Sequence, residues 1–427
     1  MSHPMLLGIV ILAVGLCARV TERSWIAPAT LFAVLWGSYV ILASIFFVDP
    51  EVMVSGVLWV LLATLAVYAG TIFGRATLPA IEDVSLPEPL RAKATPFFPH
   101  LRLIAVVSVV VGLAEIAYLF ARHGYSLRAV LTTAAIAQLA AANRADYGYG
   151  DLQQGVVERI VFALMYLAPL FGGVLFRTAR RRLDRVLALL TLVLPILVTS
   201  LYGSRMGILY GASFWLATYL ASSLLHAGSS KSLGAGLLIR IGVVGAVLMV
   251  GLSGLAQALR YTSRVEYLEW FRIFADPFGF LAAFGIWYDG HGLQVQGFFY
   301  GARTFRRVVE LVGISQPLAP AIQVGFTSSN IYTVFRDLIE DFGHFGALLF
   351  LFVYGCVGYL AFSRVAAGRL RYLPLAGIVF AFALTSPAIS IFLYTVTGVA
   401  VLIFALYFAV APVRWIVDTP TDAHSHS

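Results

Sequence analysis

Lysine is nearly missing from this chain: its 427 residues include two, Lys93 and Lys231. Charge of either sign is scarce, with Asp, Glu, Lys and Arg together at 12%. So little charge cannot wet the surface of a soluble protein of this length, and it leaves no dense basic face for nucleic acid. Cysteine is also rare. Cys17 and Cys356 both lie inside apolar runs, which argues against a disulfide framework or a Cys-based metal site and makes them small core residues. A P-loop, a GxSxG elbow, an HExxH helix and a dinucleotide fingerprint are all missing from suitable contexts. Met1 to Leu16 lacks a basic n-region and runs into further apolar sequence, so a retained first helix is expected rather than a cleaved leader.

Apolar sequence dominates what is there. Hydrophobic residues make up 60% of the chain and mean hydropathy is +0.89, which together with repeated runs near twenty residues long defines a polytopic all-α membrane protein. Run lengths predict about eleven transmembrane helices. They fall near 4–18, 26–48, 52–74, 101–121, 157–176, 186–202, 206–225, 236–258, 345–363, 372–387 and 389–411. This divides the chain into a membrane domain (1–258), a partly helical loop subdomain (259–344), further membrane helices (345–412) and a tail (413–427). The terminal TPTDAHSHS (419–427) reads as disorder rather than a metal site.

Loop charge sets the expected orientation, because short cytoplasmic loops accumulate Lys and Arg. RVTER (19–23), the 75–102 connection, RTARRRLDR (177–185), the Lys231 loop and Arg364, Arg369 and Arg371 fall on one side of the alternation. The links VDPE (48–51) and SPA (386–388), on the other side, contain neither Lys nor Arg. The N-terminus is therefore expected outside, in the periplasm of a bacterial inner membrane, and the C-terminus in the cytoplasm. The net charge of +8 follows mainly from this bias.

Two long connections, about 122–156 and about 259–344, are assigned to the outer face, where long ordered loops usually carry function. Within the second, YLEWFRIFADPFGFLAAFGIWY (267–288), broken by Asp276-Pro277, reads either as a re-entrant segment or as a surface-lying helix pair. The basic residues of this face are all Arg, whose planar fork suits phosphate oxygens. In SLYGSRMG (200–207), Arg205 sits between two apolar runs, flanked by Gly203 and Gly207. At such depth it either meets an anion or caps the preceding helix C-terminus.

The most polar run is SSNIYTVFRDLIEDFGHFG, 328–346. Ser328, Ser329 and Asn330 are helix-start residues, and Gly343 and Gly346 permit close packing as the next span begins. Helical spacing places Asn330, Val334, Asp337, Asp341 and His344 on one face, with Arg336 and Glu340 as an i, i+4 pair beside it. Asp337 and Asp341 are like charges four apart, unfavourable unless Arg or substrate faces them. Two readings stay open: acid–base chemistry, or a salt-bridge network fixing where the helix enters the membrane.

The GSRMG break, the long late loop and SSNIYTVFRDLIEDFGHFG leading into a span resemble the O-antigen polymerases (Wzy family), with motif-level likeness at about 200–211 and 326–346. The related O-antigen ligases share the layout but carry a His where this chain has Ser329 beside Asn330, which favours the polymerase. The family's Arg-x10-Gly spacing is met at Arg144 to Gly155, but not at Arg260, Arg264, Arg303, Arg306, Arg307 or Arg336.

The resemblance implies a GT-C-like architecture and a glycosyltransferase without cofactor or metal. Its substrate would be an oligosaccharide on undecaprenyl diphosphate, delivered from membrane lipid and worked on with a possible chain-length regulator protein as partner; no nucleic acid is involved. Arg205 and Arg336, with Arg144 or Arg260, would grip the diphosphate. The general base is open among His291, Asp337, Glu340 and Asp341. Arg264, Arg303, Asn330 and Tyr332 complete the expected substrate contacts. The rivals are an O-antigen ligase, a metal-dependent lipid-linked glycosyltransferase using Asp49 and Glu51, and a lipid-linked oligosaccharide transporter.

Overall fold

The computed structural model describes residues 2–47, 49–77, 94–98, 100–126, 136, 138–140, 142–143, 156–202, 205–225, 278–295, 299–306, 322–324, 327–329, 332–392, 394–410 and 414–417. Seven of its helices are long and apolar enough to cross a bilayer. They are α1 (His3–Glu22), α2 (Pro28–Phe46), α3 (Val54–Thr77, extended by a 3-10 turn from Pro50), α4 (Leu101–Arg122), α5 (Val156–Thr178), α6 (Arg182–Leu201) and α9 (Val334–Ala366). Between them lie α7 (Arg205–Leu224) and the short α8 (Gly279–Gly290). Two shorter apolar helices, α10 (Leu373–Thr385) and α11 (Thr395–Val410), follow α9. The protein is a polytopic helical membrane protein. The expected span at 236–258 lies outside the described residues.

Four short strands depart from an all-helical chain. β1 (Ala94–Phe97) pairs antiparallel with β4 (Arg414–Val417), tying the 75–102 connection to the tail. A hairpin joins β2 (Ile322–Val324) to β3 (Thr327–Ser329). That hairpin corrects the expected helix start at Ser328 and Ser329, while Asn330 lies outside the described residues. Ladder hydrogen bonds hold the chain extended through Ser329, and α9 begins at Val334 after Thr333, whose backbone is extended.

Glycines let the helices approach until backbones touch. On α3, a Cβ at Gly70 would overlap the Phe352 carbonyl of α9, and one at Gly74 would lie 3.2 Å from the Cys356 backbone. Gly355 of α9 meets the Val67 carbonyl in return. Both helices run in the same direction, because Trp59, Thr71 and Gly74 of α3 meet His344, Gly355 and Cys356 of α9 in that order. Thr71 and Cys356 seal the contact, with Thr71 Oγ1 donating to the Gly355 carbonyl at 3.4 Å and Cys356 Sγ to the Gly70 carbonyl at 3.1 Å. Without a hydrophobic drive between helices in lipid, such contact is a main source of association.

The alternation sorts charge between the two ends of the bundle. Arg19, Arg23, Arg75, Arg102, Arg177, Arg185, Arg364, Arg369 and Arg371 lie at one end, where α1, α3, α5 and α9 finish and α4 and α6 begin. Arg102 pairs with Asp184 there at 3.4 Å. At the opposite end His3 bonds Glu51 at 2.9 Å, and α8 packs on the start of α3, with Gly285 against the Val52 carbonyl.

Gly70→Ala is expected to destabilise the protein by about 1–3 kcal/mol, the usual range for overpacking. Gly211→Ala should be neutral or mildly stabilising, because its Cβ meets nothing nearer than Ile196 Cγ1 at 3.5 Å. Thermal unfolding of both variants in one detergent checks the contrast.

Candidate functional site

The polar run of the sequence is not a simple lead-in to a membrane helix. Gly343 has φ 65° and ψ 177°, a conformation reserved for glycine, and it divides α9 into a half-helix, 334–342, and a crossing helix, 344–366. The half-helix folds back beside the bundle interior. Phe335 lies 4.8 Å from both Trp36 and Trp59, and it reaches Phe32, a ring that also contacts Tyr354 of the crossing helix. The Val334 amide donates to the Ser386 carbonyl at 3.0 Å, and Trp36 Nε1 to Ser386 Oγ at 3.0 Å.

The break places His344 on the crossing helix, so it does not share the half-helix face with Asp337 and Asp341 as the spacing predicted. Its ring is engaged elsewhere. Trp59 Nε1 donates to His344 Nδ1 at 3.2 Å, which leaves Nε2–H to donate to the Gly292 carbonyl at 2.9 Å. That arrangement fixes the orientation of the ring, with Nδ1 accepting and Nε2 donating.

A break also orphans the last carbonyls of a helix. The turn 299–306 supplies their partners. Phe299 N–H donates to the Glu340 carbonyl and Tyr300 N–H to the Asp341 carbonyl, both at 3.1 Å. The turn is shaped by left-handed backbone at Tyr300 and Gly301, and it then delivers two more donors. Arg303 N–H and Thr304 N–H bond the two oxygens of the Asp341 carboxylate at 2.9 and 2.6 Å. Asp341 is therefore committed to holding the turn.

The predicted pair of Arg336 and Glu340 is present, with Nε to Oε1 at 2.8 Å. Arg303 joins from the turn, its Nε 3.2 Å from Glu340 Oε2. One buried carboxylate thus lies between two guanidinium groups. Arg336 is 3% exposed, and its guanidinium lies 3.9 Å from the Tyr332 ring centroid and 5.2 Å from that of Trp287 on α8. These aromatic faces offset part of the loss of water. Burial pushes the Tyr332 phenol above its ordinary value, opposed by the adjacent Arg336 charge. Even so, Arg336 Nη1 is buried with no hydrogen-bond partner among the described residues.

Asp337 differs from its neighbours. It has no hydrogen bond or ion pair among the described residues, although Arg336, Arg303, Glu340 and Asp341 all act on it electrostatically. Its side chain keeps some accessible surface while Arg336, Glu340 and Asp341 around it are buried. Tyr210 of α7 lies within its electrostatic reach and donates to the Ser390 carbonyl at 2.7 Å.

Other expected residues fall less tightly together. Arg205 opens α7, five residues before Tyr210, so the backbone brings its end of α7 to the half-helix end of the bundle; its side chain lies outside the described residues. Arg144, Arg260, Arg264, Arg307 and Asn330 also lie outside them. His291 is exposed at the close of α8, one turn beyond Trp287. Glu51 is occupied by His3, which donates its backbone N–H at 3.3 Å and places its ring Nδ1 at 2.9 Å. Among the described residues no three His, Cys, Asp or Glu side chains are grouped to hold a metal ion.

Sequence reasoning read SPA (386–388) as an outer link and 389–411 as a span, and so missed the buried junction at 386–390. Ser386 and Ser390 are fully buried, with Ser390 Oγ donating to the Thr304 carbonyl at 3.1 Å. The structural reason is that α10 has 13 residues and ends before it could cross a bilayer. Its irregular continuation is buried beneath the half-helix and the turn, where such backbone is tolerated. Comparison with family models, with curated protein sequences and with solved structures gives no match for this chain.

Glu340→Ala should cost about 3–5 kcal/mol, because it strands two guanidinium groups around an empty site. Asp337→Asn removes no hydrogen bond or ion pair among the described residues and is expected to leave stability unchanged or raised. Midpoints of detergent-solubilised unfolding distinguish the two, and equal losses would contradict this division of roles.

Proposed function

We propose that the chain polymerises undecaprenyl-diphosphate-linked oligosaccharide repeat units by glycosyl transfer at the outer face of a bacterial inner membrane. The observation that carries the reading is Arg336: a buried guanidinium whose Nη1 has no hydrogen-bond partner among the described residues, next in sequence to a carboxyl that makes no hydrogen bond or ion pair among them. Arg supplies charge and donors to a diphosphate, and the adjacent acid can take a proton.

The step balances without a further reactant. A hydroxyl of the acceptor repeat attacks the anomeric carbon of the donor glycan, and its proton passes to the Asp337 carboxylate. The bond between that carbon and the diphosphate oxygen breaks, and the electron pair leaves with the lipid diphosphate. Arg336 stabilises the charge that develops there. The placement of α7 brings Arg205 to the same end for the same task, while Arg303 holds Glu340 and so fixes Arg336. Of the four candidates for general base, Asp337 is favoured. Glu340 and Asp341 are committed to partners, and His291 stands at the exposed end of α8.

The transporter reading gains from one observation, because a helix broken at Gly343 with buried charge is a device transporters use. The ligase reading shares every contact described above and differs in its acceptor. The metal-dependent reading loses its proposed acids in part, because Glu51 is paired with His3.

Complementation of a polymerase-deficient strain, scored by glycan ladder at matched expression, tests the proposal. Asp337→Asn and Arg336→Ala are expected to abolish the ladder while single-repeat lipopolysaccharide persists, and Asp49→Ala is expected to retain it. Loss of both products would favour a ligase, and chain growth that a chelator abolishes and a divalent ion restores would favour the metal-dependent rival. A wild-type ladder from Asp337→Asn removes the assigned base.

A further inference from the structure

At the Arg-rich end of the bundle, the last turns of α5 and α7 and the first turn of α6 enclose a cleft of about 150 Å³ lined by Phe176, Arg177, Arg185 and Tyr219. Its floor is aromatic. Tyr219 stacks on Trp215 with centroids 5.6 Å apart and planes 7° apart, and Phe176 packs on both rings. Trp215 Nε1 donates to the Ala188 carbonyl at 3.1 Å, locking α7 to α6 under the cleft.

Two cations share this small space. Arg177 and Arg185 are near enough to repel one another, a cost that a folded protein retains only against some return. Asp184, the acid next in sequence, is turned to Arg102 instead. Arg177 Nε donates to Ser223 Oγ at 3.2 Å, which fixes its fork and leaves the two terminal nitrogens. Arg185 has no side-chain hydrogen bond or ion pair among the described residues.

Lipid adjoins the cleft on one side. Val186, Leu189, Leu190 and Val193 of α6 are exposed apolar residues that continue from Arg185 along the membrane-crossing helix. A ligand with a phosphate head and apolar tails would place each part against its complement.

We infer that this cleft binds the phosphodiester headgroup of an anionic phospholipid, with Arg177 and Arg185 on the phosphate and the acyl chains along α6. Paired guanidinium donors match phosphate oxygens, and basic pockets between membrane helices recognise such headgroups. The inference concerns the end of the bundle opposite the half-helix, and it stands apart from the glycosyl-transfer reading.

The test uses the full chain in a non-ionic detergent, titrated separately with short-chain phosphatidylglycerol, short-chain phosphatidylcholine and inorganic phosphate. Bound lipid is read by native mass spectrometry, and stability by thermal shift. Phosphatidylglycerol is expected to bind at least about tenfold more weakly to Arg177→Gln/Arg185→Gln than to wild type. The control pair Arg181→Gln/Arg182→Gln, which removes the same charge outside the cleft, should bind as wild type does. Arg177→Lys/Arg185→Lys keeps the charge and loses the fork, so a clear loss of binding is expected there too. Three results would overturn the inference: equal loss in the control pair, equal binding of phosphatidylcholine, or displacement of phosphatidylglycerol by inorganic phosphate at comparable concentration.

Discussion

Backbone that leaves a helix inside a membrane protein must find new hydrogen bonds, and that requirement organises the polar end of this structure. Gly343 ends the half-helix, and the carbonyls of Glu340 and Asp341 would otherwise be orphaned. The turn 299–306 exists at this place because its N–H groups meet them. The same turn carries Arg303 to Glu340, so one backbone need positions a charged side chain that sequence distance alone would never bring near.

Three acids and two arginines are then confined together, which would be prohibitive without ordered pairing. The pairing is unequal. Asp341 receives two peptide N–H groups, Glu340 receives two guanidinium groups, and Asp337 receives neither. A purely structural network has every reason to satisfy its last member or replace it with an apolar residue. An acid and an Arg336 donor that both lack partners among the described residues are the feature that a substrate would resolve.

Much of the membrane architecture was legible from run length, because lipid leaves few alternatives to a helix of about twenty apolar residues. The Arg336 and Glu340 pair was legible from i, i+4 spacing for a similarly local reason. The fold-back at Gly343 was not. GHFG reads equally well as a close-packing surface, and only the tertiary position of Phe335 among Trp36, Trp59 and Phe284 makes the glycine a reversal. The buried link at 386–390 was hidden by the same limitation, because an uncharged Ser-Pro stretch looks alike in an outer loop and in a packed junction. Arg303 resembled any other loop arginine, since its role depends on a turn 37 residues before the Asp341 partner of its neighbour Thr304.

Arginine serves opposite ends of this molecule under opposite conditions, and neighbouring acids decide which. At the half-helix end Arg336 is buried and Arg303 half-buried, and both are balanced by Glu340, so their positions are fixed to within a hydrogen bond or ion pair. At the other end Arg177 and Arg185 stand in an open cleft whose lining includes no carboxylate among the described residues. The first arrangement is preorganised and closed, which is what the proposed glycosyl transfer would require of it. The second is open, and under the inferred lipid binding an anion from the membrane would supply the balance there.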